Sequence, residues 1–188
     1  GKQIFKGIEF DVIDPNENGR KACIGLSNEQ GYKQQVQIKV NKKAESIYFL
    51  HTATSNAYCG SITIQYADGV SVVDYITPKK VTSWWYPNIK QDRKQMPNLQ
   101  IAWQGKNKAS DNVSVGVYGF NNPHPDKVIS EIIFDVAKDG TKWMILGVTL
   151  SDHEVFFKPS LVSDGIPDNS TILFREYILH YLNLKSSL

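Results

Sequence analysis

Alternation of apolar and polar residues is the main pattern along the chain. Apolar side chains occupy every second position at residues 36–40, 62–66 and 132–136. A period of two is typical of a β-strand that buries one face and exposes the other. Short apolar runs predict further strands at residues 8–13, 22–26, 46–51, 70–76, 99–103, 113–120, 143–150 and 155–157.

Turn sequences separate these segments. The turn dipeptides are Asn18-Gly19, Gln30-Gly31, Asp68-Gly69 and Asp139-Gly140. Asp68-Gly69 lies between two alternating runs and predicts a hairpin, because glycine tolerates a positive φ. Many short strands joined by close turns predict an all-β protein with an antiparallel β-sandwich or jelly roll.

The last part of the chain has a different pattern. Residues 151–170 have the composition of a surface connector. Within residues 171–184, apolar side chains recur at helical spacing, which predicts one short amphipathic helix, with a strand as the alternative. These side chains are Phe174, Tyr177, Ile178, Tyr181 and Leu182. We therefore divide the chain into a sandwich at 5–150 and a connector plus helix at 151–188.

Composition narrows the function classes. The 188 residues fit one domain and carry a net charge of +2, which gives no strong preference for nucleic acid. No run of eighteen apolar residues occurs, so no membrane-spanning helix is expected. Cys23 and Cys59 both lie in apolar, strand-like contexts and are expected to be buried thiols, with a single disulfide as the alternative.

An aromatic cluster is the first candidate site. Trp84, Trp85 and Tyr86 end a strand-like run, and Trp103 follows after a basic loop at residues 87–98. Aromatic rings cover the C–H face of a pyranose, which makes such a cluster a candidate sugar platform. Because consecutive residues on a strand point to opposite faces, Trp84 and Trp85 are not both expected in the core unless the strand bends. Trp143 is expected to be a core residue.

Polar residues near the cluster could bind sugar hydroxyl groups. Gln104 begins a polar segment after Trp103, and Asn121, Asn122 and His124 lie in a loop that two prolines make rigid. The alternative for this loop is a shaped turn without ligand contacts.

The basic loop is predicted to be a solvated loop. It contains Lys90, Arg93 and Lys94. If a glycan binds there, these cations favour uronate or sulfate groups.

Signals for a metal or for catalysis are weak. Residues 14–19 match the first half of an EF-hand loop, but Gly25 occupies the position of the bidentate glutamate. We interpret this segment as a turn, with a structural calcium as the minor alternative, and we expect no cofactor. Nucleophile-elbow, zinc-protease and phosphate-loop motifs do not occur.

Six short segments, in this order, resemble a known family. They are GIEFDVIDP at 7–15, IYFLH at 47–51, YADG at 66–69, SWWYP at 83–87, AWQG at 102–105 and NPHPDK at 122–127. Their order resembles the galactose-binding-like β-sandwich modules of bacterial, Bacteroidetes-type multidomain glycoside hydrolases. The resemblance covers about residues 5–150. It implies a jelly roll, a carbohydrate context and a secreted, periplasmic or cell-surface location, and it makes the tail from Val155 a connector to a catalytic domain of the same polypeptide.

The sequence leads to one main hypothesis and two alternatives. The main hypothesis is a non-catalytic glycan-binding accessory module, with sugar stacking on Trp84, Trp85 or Tyr86. The first alternative is a structural spacer whose aromatic side chains pack internally. The second is a jelly-roll polysaccharide lyase or another glycan-active enzyme with tyrosine, histidine, lysine and arginine on a concave face.

Overall fold

The computed structural model describes residues 1–55, 57–85, 96–138 and 141–158. Within these ranges the chain forms strands and no helix, so the predicted all-β class is confirmed. The strands are β1 (Lys2–Phe5), β2 (Ile8–Asp11), β3 (Ile24–Leu26), β4 (Gln35–Lys42), β5 (Ser46–Ala53), β6 (Gly60–Tyr66), β7 (Ser71–Ile76), β8 (Leu99–Gly105), β9 (Val113–Asn121), β10 (Ile129–Val136) and β11 (Trp143–Ser151). Four predictions lie outside the described residues: Tyr86, the cations of the basic loop, the Asp139-Gly140 turn and the C-terminal helix.

The strands form two antiparallel sheets and one hairpin. The four-stranded sheet has the order β4-β10-β6-β7, and the five-stranded sheet has the order β3-β11-β5-β9-β8. Strands β1 and β2 form a separate hairpin. This arrangement is consistent with a β-sandwich, whose two sheets bury their facing sides against each other.

The first hydrophobic cluster lies between the two sheets. Alternation places Ile62 and Ile64 of β6 on the inner face, and both are fully buried. Phe134 of β10 packs edge-on against Trp143 of β11, with ring centroids 5.7 Å apart. Trp143 is fully buried, so the prediction that it is a core residue is confirmed.

A second hydrophobic cluster covers the outer side of the five-stranded sheet. Every residue of β5 is buried, because both faces of this strand are covered. Phe49 faces the first cluster, whereas Tyr48 and Leu50 belong to the second. Phe10 of the hairpin belongs to the second cluster as well and lies against the five-stranded sheet at Gly147. The five-stranded sheet is therefore buried on two sides, unlike the half-solvated strands that alternation predicts.

The hairpin contains a strand that the sequence analysis did not predict. Phe5 pairs with Ile8, which leaves a two-residue turn at Lys6 and Gly7 with φ of 54° and 84°. Two positive φ values are typical of a type I′ turn, which follows the twist of the flanking strands. The pair Lys-Gly is a weaker turn signal than Asn-Gly, and β1 itself is too short to show a clear period.

The predicted strand at 155–157 is an irregular segment in the structure. Its backbone N–H groups bond to side chains instead of a neighbouring strand: Val155 donates to Asn121 Oδ1 at 2.7 Å and Phe156 donates to Tyr48 Oη at 2.8 Å. Phe157 packs on Tyr48 with ring centroids 5.6 Å apart. Val155 and Phe157 are half-buried, Phe156 is exposed, and no strand ladder forms.

The predicted Asp68-Gly69 turn is confirmed, and the prediction of buried thiols is confirmed for Cys59 but only in part for Cys23, which is half-buried. Gly69 has φ of 87°, and the Asp68-Gly69 turn joins the paired strands β6 and β7. Cys23 and Cys59 are free thiols. Cys59 lies in the first cluster and Cys23 packs against the second, so the sheet separates them.

Candidate functional site

The tryptophan cluster is for the most part a core feature. Trp84 is 0% exposed and Trp103 is 4% exposed, and their rings stack with centroids 6.0 Å apart at 22°. Trp85 is only partly buried and meets Trp84 edge-on at 6.4 Å and 82°. Since the remaining tryptophan, Trp143, is also buried, Trp85 is the one tryptophan that is partly exposed.

The backbone around Trp84 explains why two adjacent tryptophans differ in burial. The run before them is not a regular strand, because pairing is limited to an isolated parallel bridge between Ser83 and Ala53. Trp84 N–H donates to the carbonyl of Ala53 at 2.6 Å, and the Trp84 carbonyl accepts from Ser114 N–H at 3.1 Å. These bonds fix Trp84 at the edge of the second cluster, and the chain bends at Trp84 and Trp85. The indole N–H of Trp84 is buried and has no hydrogen-bond partner among the described residues.

Gln104 lies beside the cluster but does not join it. It follows Trp103 on β8, so alternation turns its side chain to the other side of the strand. Its amide donates to Asn112 Oδ1 at 2.7 Å, in an exposed position. The structure therefore brings together Trp84, Trp85 and Trp103, with Gln104 on the opposite face.

Asn122 is buried, and its amide is fully used within the protein. Its Oδ1 accepts hydrogen bonds from Tyr66 Oη and from His124 N–H. Its Nδ2 donates to the Ala44 carbonyl at 2.7 Å and to the His124 carbonyl at 3.2 Å. The His124 ring packs edge-on against Tyr66 at 5.3 Å. This arrangement is what a shaped turn requires.

Asn121 lies at the same end of β9 as Asn122. Its Oδ1 accepts a hydrogen bond from Val155 N–H, so it helps to hold the irregular segment at 155–157. Trp84 bonds to Ser114, seven positions earlier on the same strand. Seven residues of extended chain span about 23 Å. The Asn121–His124 loop and the tryptophan cluster thus occupy opposite ends of the sheet.

A buried polar network that no sequence motif indicated lies inside the sandwich. Tyr118 Oη donates to Asp74 Oδ2 at 2.8 Å, and Lys80 forms an ion pair with the same carboxylate. Burial, followed by the charge of Asp74, raises the pKa of Tyr118 above its ordinary value. The His51 ring stacks on Tyr118 at 6.3 Å. Alternation is the sequence pattern that could have predicted the burial of His51, because it places this residue on the same face of β5 as Ile47 and Phe49.

The tautomer of His51 follows from its partners. The Trp143 indole N–H can only donate, so it donates to His51 Nδ1 at 3.0 Å. The proton then sits on Nε2, which donates to the Lys80 carbonyl at 2.9 Å. Burial lowers the pKa of His51 to about 4, although the Lys80 carbonyl acts in the opposite direction. The ring is therefore held neutral.

This histidine predicts a loss of stability in mild acid. The unfolded chain protonates His51 near pH 6.5, while the folded chain resists protonation until about pH 4. Between these two pH values the unfolded state binds more protons than the folded state. The contribution of His51 to stability is therefore fully present above pH 6.5 and is lost as the pH drops towards 4. Between pH 7 and pH 5 the free energy of unfolding should fall by about 2 kcal/mol from this residue. Urea denaturation of the wild type and of His51→Gln at both values measures the difference, and equal pH dependence in the two proteins would contradict the assignment.

The described residues offer neither a metal-binding cluster nor a membrane-spanning helix. They contain no group of three or more His, Cys, Asp or Glu side chains that could hold a metal ion. Residues 14–19 form a turn, in which Asp14 Oδ1 accepts from Asn16 N–H at 2.8 Å. Within the same ranges no helix is long and apolar enough to cross a membrane.

Comparison with known proteins adds no relative. No protein-family model, no curated protein and no solved structure matches the chain. Function is therefore inferred from the chemistry and geometry of the side chains.

Proposed function

We propose that this chain is a non-catalytic glycan-binding accessory module of a secreted or periplasmic glycoside hydrolase, and that it has a galactose-binding-like jelly roll. The antiparallel two-sheet architecture supports the proposal. The order of the six segments that resemble such modules supports it as well. The partners would be a glycan and a catalytic domain of the same polypeptide.

The single observation that carries glycan binding is the exposure of Trp85. Trp85 is partly exposed, and its ring meets the ring of the fully buried Trp84 edge-on. An aromatic ring fixed by its neighbours loses little conformational freedom when a sugar stacks on it. In this proposal Trp85 is the ring on which the sugar stacks, and Trp84 and Trp103 pack behind it without touching the sugar.

Replacing Trp85 with alanine should weaken glycan binding at least about fivefold, because an aromatic contact contributes roughly 1 kcal/mol beyond area burial. Trp85→Phe keeps an aromatic face and should retain most of the affinity. Isothermal titration with neutral oligosaccharides measures the effect, and thermal unfolding verifies that each variant folds. Unchanged binding by a folded Trp85→Ala protein would remove Trp85 from the site.

A structural spacer is the second candidate function. It is favoured by the burial of Trp84 and Trp103 and by the internal hydrogen bonds of Asn122. These residues already have packing roles that need no ligand. A wild-type chain that folds but binds no glycan in the same titrations would favour the spacer.

A further inference from the structure

The outer face of the four-stranded sheet carries a row of side chains that no site described above uses. The strand register aligns Gln35 of β4, Asp135 of β10, Ser61 of β6 and Tyr75 of β7. Residues opposite each other in paired strands share one face, so these four form a line across the sheet. Three strand spacings make the line about 14 Å long.

An aromatic pair stands at one end of this row. Tyr75 is 60% exposed and Tyr58 is 41% exposed, and their ring centroids are 6.2 Å apart at 52°. Tyr75 lies on the edge strand β7 and Tyr58 in the segment that leads into β6, so their contact places two exposed rings at this edge of the sheet. A tilted pair of this kind presents two apolar faces to a ligand with alternating C–H and O–H surfaces.

An open depression of about 640 Å³ begins at Tyr58. Its other lining residues are Ser61, Asp135, Val136, Ala137 and Lys138. The volume falls within the range of small-molecule pockets, which is a few hundred to about 1,000 Å³. The depression thus joins an aromatic side chain to a hydroxyl, a carboxylate and an ammonium group.

The backbone holds this surface in place. Cys59 N–H donates to the Ile76 carbonyl at 3.1 Å, and its own carbonyl accepts from Ala137 N–H at 2.9 Å. Cys59 is fully buried, so the chain between Tyr58 and Ser61 is anchored in the core. Gln35 Nε2 donates to Asp135 Oδ1 at 2.6 Å, which orients the carboxylate. A preorganised surface gives up less entropy when a ligand binds.

The chemistry of the row selects a class of ligand. A carboxylate accepts hydrogen bonds from hydroxyl groups and repels anionic sugars, and Lys138 offsets its charge without creating a basic patch. Apolar rings next to balanced polar groups fit a neutral sugar chain. The length of the row suits an oligosaccharide better than a single sugar ring.

We infer that the Tyr58–Tyr75 pair and the adjoining row of Ser61, Asp135 and Gln35 form a binding site for neutral oligosaccharides on the outer face of the four-stranded sheet. The inference rests on the proposed glycan-binding function but is independent of Trp85. Tyr75 and Tyr58 stack on the sugar rings. Asp135, Ser61 and Lys138 bind the hydroxyl groups.

Affinity gel electrophoresis of the 188-residue chain tests the inference. The probes are xyloglucan, galactomannan and arabinoxylan, with polygalacturonate as the anionic comparison. Tyr75→Ala should lower affinity for the bound neutral polysaccharide at least tenfold, whereas Tyr75→Phe should bind like the wild type. Phe156→Ala is the matched control, because Phe156 is an exposed aromatic residue outside the four-stranded sheet, at 65% exposure. The control should keep wild-type retardation.

The outcomes separate this site from the proposed function. If the wild type is retarded and Tyr75→Ala is retarded equally, the sheet-face site is wrong while glycan binding stands. If Tyr75→Ala loses retardation and Trp85→Ala keeps it, the sheet-face site is supported and Trp85 is not the platform. A wild type that none of the polysaccharides retards overturns both. Stronger retardation by polygalacturonate than by the neutral probes contradicts the assignment to neutral glycans.

Discussion

Replacing Trp84 with alanine is expected to lower the free energy of unfolding by about 3–5 kcal/mol, the range for removing a buried tryptophan from a core. Its ring is fully buried and stacks on Trp103. The surrounding strands can close only part of the space that the indole leaves. For a domain of this size the loss corresponds to a fall in Tm of about 10 °C.

Two further variants distinguish packing from other roles of this residue. Trp84→Phe should cost much less than alanine, because it keeps most of the ring and removes an indole N–H that has no partner among the described residues. Trp85→Ala should also lose less stability than Trp84→Ala, since Trp85 is already partly exposed. Urea denaturation of the three variants measures these differences. A Trp84→Ala protein no less stable than Trp85→Ala would contradict the core assignment.

The contrast between the two tryptophans shows what local sequence can and cannot predict. Alternation indicated that Trp84 and Trp85 would not share an environment, and they differ in burial. Which of them is buried depends on contacts with Ala53, Trp103 and Ser114, which are distant in sequence. No local period carries that information.

The same limit applies to the sheets. Strands β4, β6 and β10 were predicted well, because the four-stranded sheet has one buried face and its alternation is clear. Strand β5 was predicted, but its complete burial was not. Its outer face is covered by the segment at 154–158, through contacts such as the packing of Phe157 on Tyr48. The hairpin covers the neighbouring strand β11, where Thr149 Oγ1 donates to the Glu9 carbonyl.

The polar candidates illustrate a chemical ambiguity. An asparagine amide offers the same donors and acceptors to a sugar hydroxyl as to a backbone carbonyl. Residue type therefore could not decide between a ligand site and a turn for Asn122, whereas its four hydrogen bonds within the protein show its structural role. Conversely, nothing in the local sequence sets Tyr58 and Tyr75 apart. Their contact depends on the hairpin of β6 and β7, which brings the segment before β6 next to Tyr75.

Gly60→Ala is the second substitution for which we expect a large loss of stability. A Cβ atom there would lie 2.1 Å from the Asp135 carbonyl oxygen, and the residue has φ of 151°. Side-chain rotation cannot relieve a clash with backbone, so β6 and β10 would have to separate where Gly60 pairs with Val136. Backbone strain and overpacking each cost about 1–3 kcal/mol, so Gly60→Ala should lose about 4 kcal/mol of stability.

Gly69→Ala is the matched control for this effect. Gly69 also has a positive φ, 87°, but no atom lies within 4 Å of its added Cβ. In Gly69→Ala the only penalty is that alanine disfavours a positive φ, so this variant should lose about 1–2 kcal/mol of stability. Denaturation curves of both variants separate the steric clash from the conformational term. Equal losses would show that β6 and β10 can move apart without penalty. In that case the backbone beside Tyr58, Ser61 and Asp135 would not be the rigid support that the sheet-face site requires.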